Sequence, residues 1–389
     1  MKDQKHHSTG YFSEADCDIA AFKALIGQNA DTSTLAHADD VQNAIPIYDM
    51  ARLRPSLEER DARAALMAEW AGVLMSGPGV LVLKGAYANT RVLDEATAIY
   101  EAVIAEEKQA SGGGGDHFAA SGANDRIWNS SQKLCLRAPD VFLRYFGNTA
   151  IEAVSEAWLG PNYQMTAQVN VVHPGGAAQQ AHRDYHLGFQ SAEVSAQYPA
   201  HVHDLTPALT LQGAVAHCDM PIESGPTKLL PFSQMFRAGY AAWRFPEFRA
   251  CFEENYVQLP LSKGDALFFN PALFHAAGAN TSADIHRMAN LLQVSSAFGR
   301  AMETLDRRAM CIALYPSAQA SALSRADVAA AIASCAEGYS FPTNLDSDPP
   351  IGGLAPETQK ALFHRGLRNG MSALDFGTAL DQIADRQRP

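Results

Sequence analysis

The sequence predicts a mainly β core, a barrel or sandwich holding a site in its interior, wrapped by helical segments at both ends. Three observations carry that prediction. The middle third is a succession of short strand-like segments, QMTAQVNVV, ALTLQGAVA, YVQLPLS, DALFFNPALF and RMANLLQVSS, separated by Gly, Pro or Asn turns. Two of these segments alternate. Gln164, Thr166, Gln168 and Asn170 share one face against Met165, Ala167, Val169 and Val171, and Thr210 and Gln212 oppose Leu209, Leu211 and Val215. A polar face on an otherwise buried strand belongs inside a barrel that encloses a site. The two flanks carry helical patterning instead.

Along the chain, residues 1–55 read as a polar tail, a short amphipathic stretch (IAAFKALIG) and a loop, IPIYDMARLRP. From Ser56 the pattern is helical, with Leu66, Trp70, Val73 and Leu74 on one face. Gly77-Pro78-Gly79 stops that helix and VLVLKGAY follows as a buried strand. A second helix over roughly 90–110 ends at SGGGGD. No Lys-Ser/Thr follows those glycines, which excludes a phosphate-binding loop and leaves a flexible one. Beyond residue 300 the chain turns helical again (ADVAAAIASCAEG, PETQKALFHRGLRNG). The expected division is a lead-in at 1–55, a core domain with supporting helices at 56–300, and a helical extension at 301–389 packed on the same domain. That extension is a candidate homodimer surface.

Bulk composition narrows the function. Hydrophobic residues make up 47% and charged residues 19% of the 389, so a sizeable core is expected. Forty-two acidic against 30 basic residues give a formal charge of -12, which argues against a nucleic-acid partner. The six cysteines are scattered with no C-x-x-C pair, the pattern of reduced thiols in a cytoplasmic protein. No apolar run is long enough to span a bilayer, and the polar N-terminus lacks a signal peptide's apolar centre.

One stretch, HRDYH at residues 182–186, has two chemical readings. His182 and His186 have the spacing of a helical zinc hydrolase. That reading needs a helix and a Glu after the first His, but Arg183 stands there and Pro174-Gly175-Gly176 and Gly188 flank the stretch. His182 and Asp184 form H-x-D. On an extended segment both point to one side, so they can share a metal with a distant third ligand and leave positions open. Spacing alone is a weak signal, because His217-Cys218-Asp219 repeats it. The segment KGDALFFNPALFHAAGANTSADIHR supplies the third ligand candidate, His275, and then Arg287, which opens the last predicted strand. The fork of Arg287 suits a carboxylate.

HRDYHLGF, SGPTKLLPFSQ and GDALFFNPALFHAAGAN…HR resemble, in order and spacing, the phytanoyl-CoA dioxygenase family of iron(II)/2-oxoglutarate-dependent oxygenases, over about residues 75–300. The resemblance implies a double-stranded β-helix, a cupin-like jelly roll, with Fe(II), 2-oxoglutarate and O2 as cofactor and cosubstrates. It implies His182, Asp184 and His275 as metal ligands and Arg287 as anchor for the far carboxylate of 2-oxoglutarate. His217 and Asp219 then fall at a strand end away from the metal. A carboxylate at 184, where related halogenases carry a small residue, points to hydroxylation of a small-molecule substrate, or desaturation or ring closure by the same oxidant, with succinate and CO2 as products. The helical extension beyond residue 300 is longer than the family core requires.

Further residues are candidates beside solvent-facing alternatives. Gln168, Asn170, Thr210 and Gln212 could hydrogen-bond 2-oxoglutarate or substrate, and Ser282 could add a hydroxyl to the carboxylate site, against the plainer reading of a solvated loop serine. Tyr185 and His186 follow the ligands and are substrate candidates, as is Trp128, whose alternative is an ordinary core position. The competing functions are a zinc hydrolase, a non-catalytic cupin-like metal-binding or sensing protein, and a purely structural jelly roll. Arg287 separates the sensor from the enzyme, since a binder with no need of 2-oxoglutarate has no use for a cation there.

Overall fold

A computed structural model describes residues 10–111 and 123–388. The glycine run of SGGGGD and the His6-His7 tail lie outside the described residues. Among the described residues, ten strands form two sheets. The larger contains β1 (Asp40–Gln42), β2 (Ile45–Asp49), β3 (Val80–Lys84), β4 (Asn124–Ile127), β5 (Gln164–Val172), β6 (Thr210–Ala216), β8 (Ala266–Phe269) and β10 (Arg287–Ser295), in the order β1-β2-β3-β8-β6-β10-β5-β4. The smaller pairs β7 (Lys228–Leu230) with β9 (Phe274–Ala276). Single bridges from His182 to His275 and from Val257 to Leu229 extend it on both sides. The result is the expected jelly roll, a large sheet facing a small one.

The register decides which side chains face inward. Gln293 of β10 lies directly opposite both Thr166 of β5 and Gln212 of β6, and Leu291 opposite Gln168 and Ala214. Residues paired across an antiparallel ladder share a face, so Thr166, Gln168, Asn170, Gln212, Gln293 and Arg287 all belong to the inner one. The outer face, with Met165, Ala167, Val169, Val171, Leu211, Val215, Leu292 and Val294, is buried in the main core beneath helices. Each such aliphatic side chain contributes about 1.5–3 kcal/mol on burial.

Those helices come from both flanks. Arg60–Met75 buries Leu66, Trp70, Val73 and Leu74, the four residues of the sequence pattern. Its start is capped by the Glu59 carboxylate, which accepts from the Asp61 and Ala62 amides, and Gly79, at φ +78, ends the turn beyond it. Three more helices, Ser130–Arg137, Pro139–Phe146 and Thr149–Leu159, were not expected from the sequence. The C-terminal helices Arg307–Gln319, Arg325–Cys335, Gln359–Arg368 and Ala373–Arg386 contribute Met310, Leu314, Tyr315, Ile332, Phe363 and Phe376 to the same core.

Two local expectations need correction. IPIYDMARLRP is not a loop: Ile45–Asp49 forms β2, parallel to β3 from Ile47 to Asp49, and a short helix follows. Pro46 obscured it, yet it pairs only with the three-residue edge strand β1, where a missing N–H costs little. YVQLPLS is not a strand but touches its neighbours through isolated bridges at Val257 and Leu261, because Pro260 between them cannot donate to a ladder.

Candidate metal and cosubstrate site

The site forms where HRDYH lies against β9. The His182 amide donates to the His275 carbonyl (3.0 Å) and the His275 amide donates back (3.2 Å), which sets the two rings 4.5 Å apart. The segment is extended through Asp184, so His182 and Asp184 project to one side and Arg183 to the other. One donor atom from each of His182, Asp184 and His275 lies within 4.8 Å of the others, the only such three-residue group among the described residues.

The hydrogen bonds around these donors turn both Nε2 atoms toward Asp184. The Nδ1 of His182 meets the Gln180 carbonyl at 2.8 Å and the Nδ1 of His275 meets the Leu273 carbonyl at 2.9 Å. A carbonyl only accepts, so both Nδ1 atoms carry a proton, and both Nε2 atoms face Asp184, at 3.4 and 3.2 Å. Burial pushes the Asp184 carboxyl up, but the His182 and His275 imidazoles outweigh it and hold the group well below the usual carboxylate range. Burial likewise opposes charge on His182, yet Asp184 prevails and raises it. Two imidazoles and one ionised carboxylate are the donor set of a non-haem iron(II) site.

Arg183 is the anchor of the segment. Its buried guanidinium donates to the Ser233 and Phe236 carbonyls at 2.6 and 2.9 Å and lies 5.1 and 5.2 Å from the Tyr240 and Phe274 rings. After Asp184 the chain reverses through left-handed Tyr185 (φ 60) and His186 (φ 40). A Cβ at Gly188 would sit 2.0 Å from the Arg183 carbonyl, so only glycine closes this turn. No helix covers 182–186, and His186 does not join the three-donor group. The zinc-hydrolase alternative therefore fails on backbone geometry.

Arg287 is buried on the inner face, and burial lowers its guanidinium to about 10, which still leaves it charged at neutral pH. Its Nη1 donates to the Ser224 and Gly278 carbonyls, at 3.0 and 3.3 Å, and among the described residues it has no carboxylate partner. A buried cation without an anion is costly, and an anionic ligand removes that cost.

The remaining candidates divide. Gln212 does not stand free for a cosubstrate: its Nε2 donates to Asp184 Oδ2 at 2.5 Å. Thr210 and Asn170 present buried side-chain oxygens with no partner among the described residues, as does Gln212 through Oε1. Gln168 accepts from Arg126 at 3.1 Å, and the Arg126 guanidinium lies 5.4 Å from the half-buried Trp128 ring. Tyr185 is buried and donates to Gln293 Oε1. Ser282 donates its hydroxyl to Asn280 Oδ1 at 2.6 Å within its own turn, the arrangement of a loop serine. His186 is half-buried with Nδ1 unpartnered among the described residues. Sequence reading missed Gln293, although its even spacing from Arg287 along one strand places the two on the same face. It also missed Arg126, which the two-residue period places on the inner face through its partner Asn170.

A family model described as Phytanoyl-CoA dioxygenase (PhyH) matches residues 76–289, more than half of the chain. The chain belongs to the phytanoyl-CoA dioxygenase family. This is a family of oxygenases that use iron(II), 2-oxoglutarate and O2, and the matched span includes His182, Asp184, His275 and Arg287. A curated relative, dioxygenase andF of Emericella variicolor, is 27% identical over 144 residues, covering 35% of this chain. The chain spans only 44% of that relative's length. Among solved structures, the epimerase SnoN in complex with Fe3+, alpha ketoglutarate and nogalamycin RO is 17% identical, with a TM-score of 0.42 over 60% of this chain and 85% of that one. The alpha ketoglutarate dependent carbocyclase SnoK from nogalamycin biosynthesis is 20% identical, with a TM-score of 0.38 over 59% and 83%.

Proposed function

We propose that this protein is an Fe(II)- and 2-oxoglutarate-dependent dioxygenase that hydroxylates a small-molecule substrate, releasing succinate and CO2. The observation that carries the reading is the convergence of His182, Asp184 and His275 within 4.8 Å, with both imidazoles presenting Nε2. In this reading those three residues hold iron(II), and Arg287 holds the far carboxylate of 2-oxoglutarate. When bound, the metal and cosubstrate supply an oxidant that inserts one oxygen of O2 into a C–H bond.

The chain's own part is ligation and orientation. Main-chain carbonyls fix the tautomers of both histidines, so neither ring must turn to accept an ion. Phe269 packs its ring 4.7 Å from that of the buried His275. The buried charge of Arg287, which meets no carboxylate among the described residues, favours the enzyme over a cupin-like binder, which would gain nothing from burying it.

The test is an anaerobic titration of metal-free protein with Fe(II) and then 2-oxoglutarate, following the visible charge-transfer band. The band is expected in the wild type and absent in His182→Ala. In Arg287→Ala it is expected to need at least about tenfold more 2-oxoglutarate, the loss of one charge-assisted bidentate contact. Stoichiometric zinc with no band would overturn the proposal.

A further inference from the structure

Besides the His182 and His275 rings, the Asp184 carboxylate meets a side chain of the sheet opposite. Gln212 and Gln293 are direct cross-strand partners on β6 and β10, side by side on the inner face. Gln212 donates to Asp184 Oδ2 at 2.5 Å and Gln293 accepts from the Tyr185 hydroxyl. Two adjacent residues of the site segment are thus each tied to one member of a glutamine pair. The row continues to Thr166, opposite Gln293, whose hydroxyl donates to the Gln293 carbonyl at 2.8 Å.

The arrangement has a direction. A carboxylate only accepts, so the Gln212 amide must turn its nitrogen to Asp184, leaving Oε1 buried without a partner among the described residues. An unsatisfied buried oxygen costs free energy and persists only where the opposite contact outweighs it. The backbone beyond Asp184 is also held in a sparsely populated conformation, with φ of 60 and 40 at Tyr185 and His186. Such strain survives where surrounding contacts over-determine it, and Gln293 on the Tyr185 hydroxyl is such a contact.

We propose that Gln212 and Gln293 are positioning residues, a cross-strand pair that holds the Asp184 carboxylate and the turn behind it in the orientation a metal ion requires. Gln212 binds one carboxylate oxygen and so directs the other, Oδ1, toward the His182 side, where it lies 3.4 Å from Nε2. Gln293 prevents Tyr185 from relaxing and carrying Asp184 with it. The inference rests on the metal-site reading above and adds the residues that preorganise it.

Cobalt(II) provides a readout that does not depend on turnover. Metal-free wild type, Gln212→Leu, Gln212→Met and Gln293→Leu are titrated with Co(II), following the visible d–d bands and the affinity, with thermal melting of each metal-free protein alongside. Loss of a contact to a metal ligand typically weakens affinity about 10–100-fold. Both Gln212 variants are expected in that range with altered band intensities, and Gln293→Leu is expected to lose less. Gln212→Met keeps the chain length without the donor, so it decides the matter if the leucine variant does not fold. Unchanged affinity and spectrum in a folded Gln212 variant would falsify the positioning role alone. A wild type that binds no Co(II) would instead remove the metal-site reading on which it rests.

Discussion

The chain contains H-x-D twice, and the two copies have opposite fates. His182 and Asp184 lie on an extended segment bridged to β9, with both side chains turned to His275. His217 follows the last residue of β6 and is buried on the outer face. Its Nδ1 lies 2.8 Å from Thr97 Oγ1 and its Nε2 2.8 Å from the Tyr145 hydroxyl, both on helices. Asp219 is exposed and accepts from the Lys263 amide at 2.9 Å. On β6 the inward residues are Gln212, Ala214 and Ala216, so His217 is out of phase with the site by one position. The same three-residue pattern turns to the interior in one copy and packs against helices in the other.

The contrast can be broken most sharply at its carboxylates. Asp184→Ala is expected to lower Co(II) affinity by at least about two orders of magnitude, since in the proposed reading it removes one ligand of three and the only anionic one. Equal affinity in that variant would mean that the ion binds elsewhere.

Next in size is His217→Leu, which should destabilise the fold by about 2–3 kcal/mol in urea denaturation while leaving metal affinity unchanged. It removes two buried hydrogen-bond partners from helix side chains. The same residue should show in the pH dependence. Burial, with a smaller effect of Lys263, lowers the His217 imidazole to about 3, so it stays neutral in the fold. The unfolded chain takes up that proton near pH 6.5. Stability from this group is therefore full above about pH 6.5 and lost as pH falls toward 3, a component on the order of a few kcal/mol. Denaturation midpoints measured from pH 7 to 4 should fall less steeply in His217→Leu, and parallel slopes would remove His217 as the source. The smallest effect belongs to Asp219→Asn, an exposed residue, with stability within about 0.5 kcal/mol and wild-type metal binding.

Several elements were legible in the sequence. β5, β6 and β10 announced themselves by alternation or β-rich runs, and the Arg60–Met75 helix by its apolar face. The helices Ser130–Arg137, Pro139–Phe146 and Thr149–Leu159 were not, because at 8, 8 and 11 residues each shows only two or three turns of periodicity. His182, Asp184, His275 and Arg287 could be named from motif order. Gln293 and the new role of Gln212 could not, since which strand lies opposite which is long-range information.

The sequence by itself determined the local matters: where strands alternate, where Gly188 lets the chain turn, and that HRDYH cannot be a helix between its flanking glycines. It also determined the family, through motifs whose order survives in one dimension. Only the tertiary structure decided which H-x-D faces the interior, which glutamine binds Asp184, and that Arg287 is buried with no carboxylate partner among the described residues. Those outcomes depend on strand pairing across large sequence separations, such as β10 between β5 and β6. A one-residue change of phase there reverses inside and outside for every side chain, and no local pattern records it.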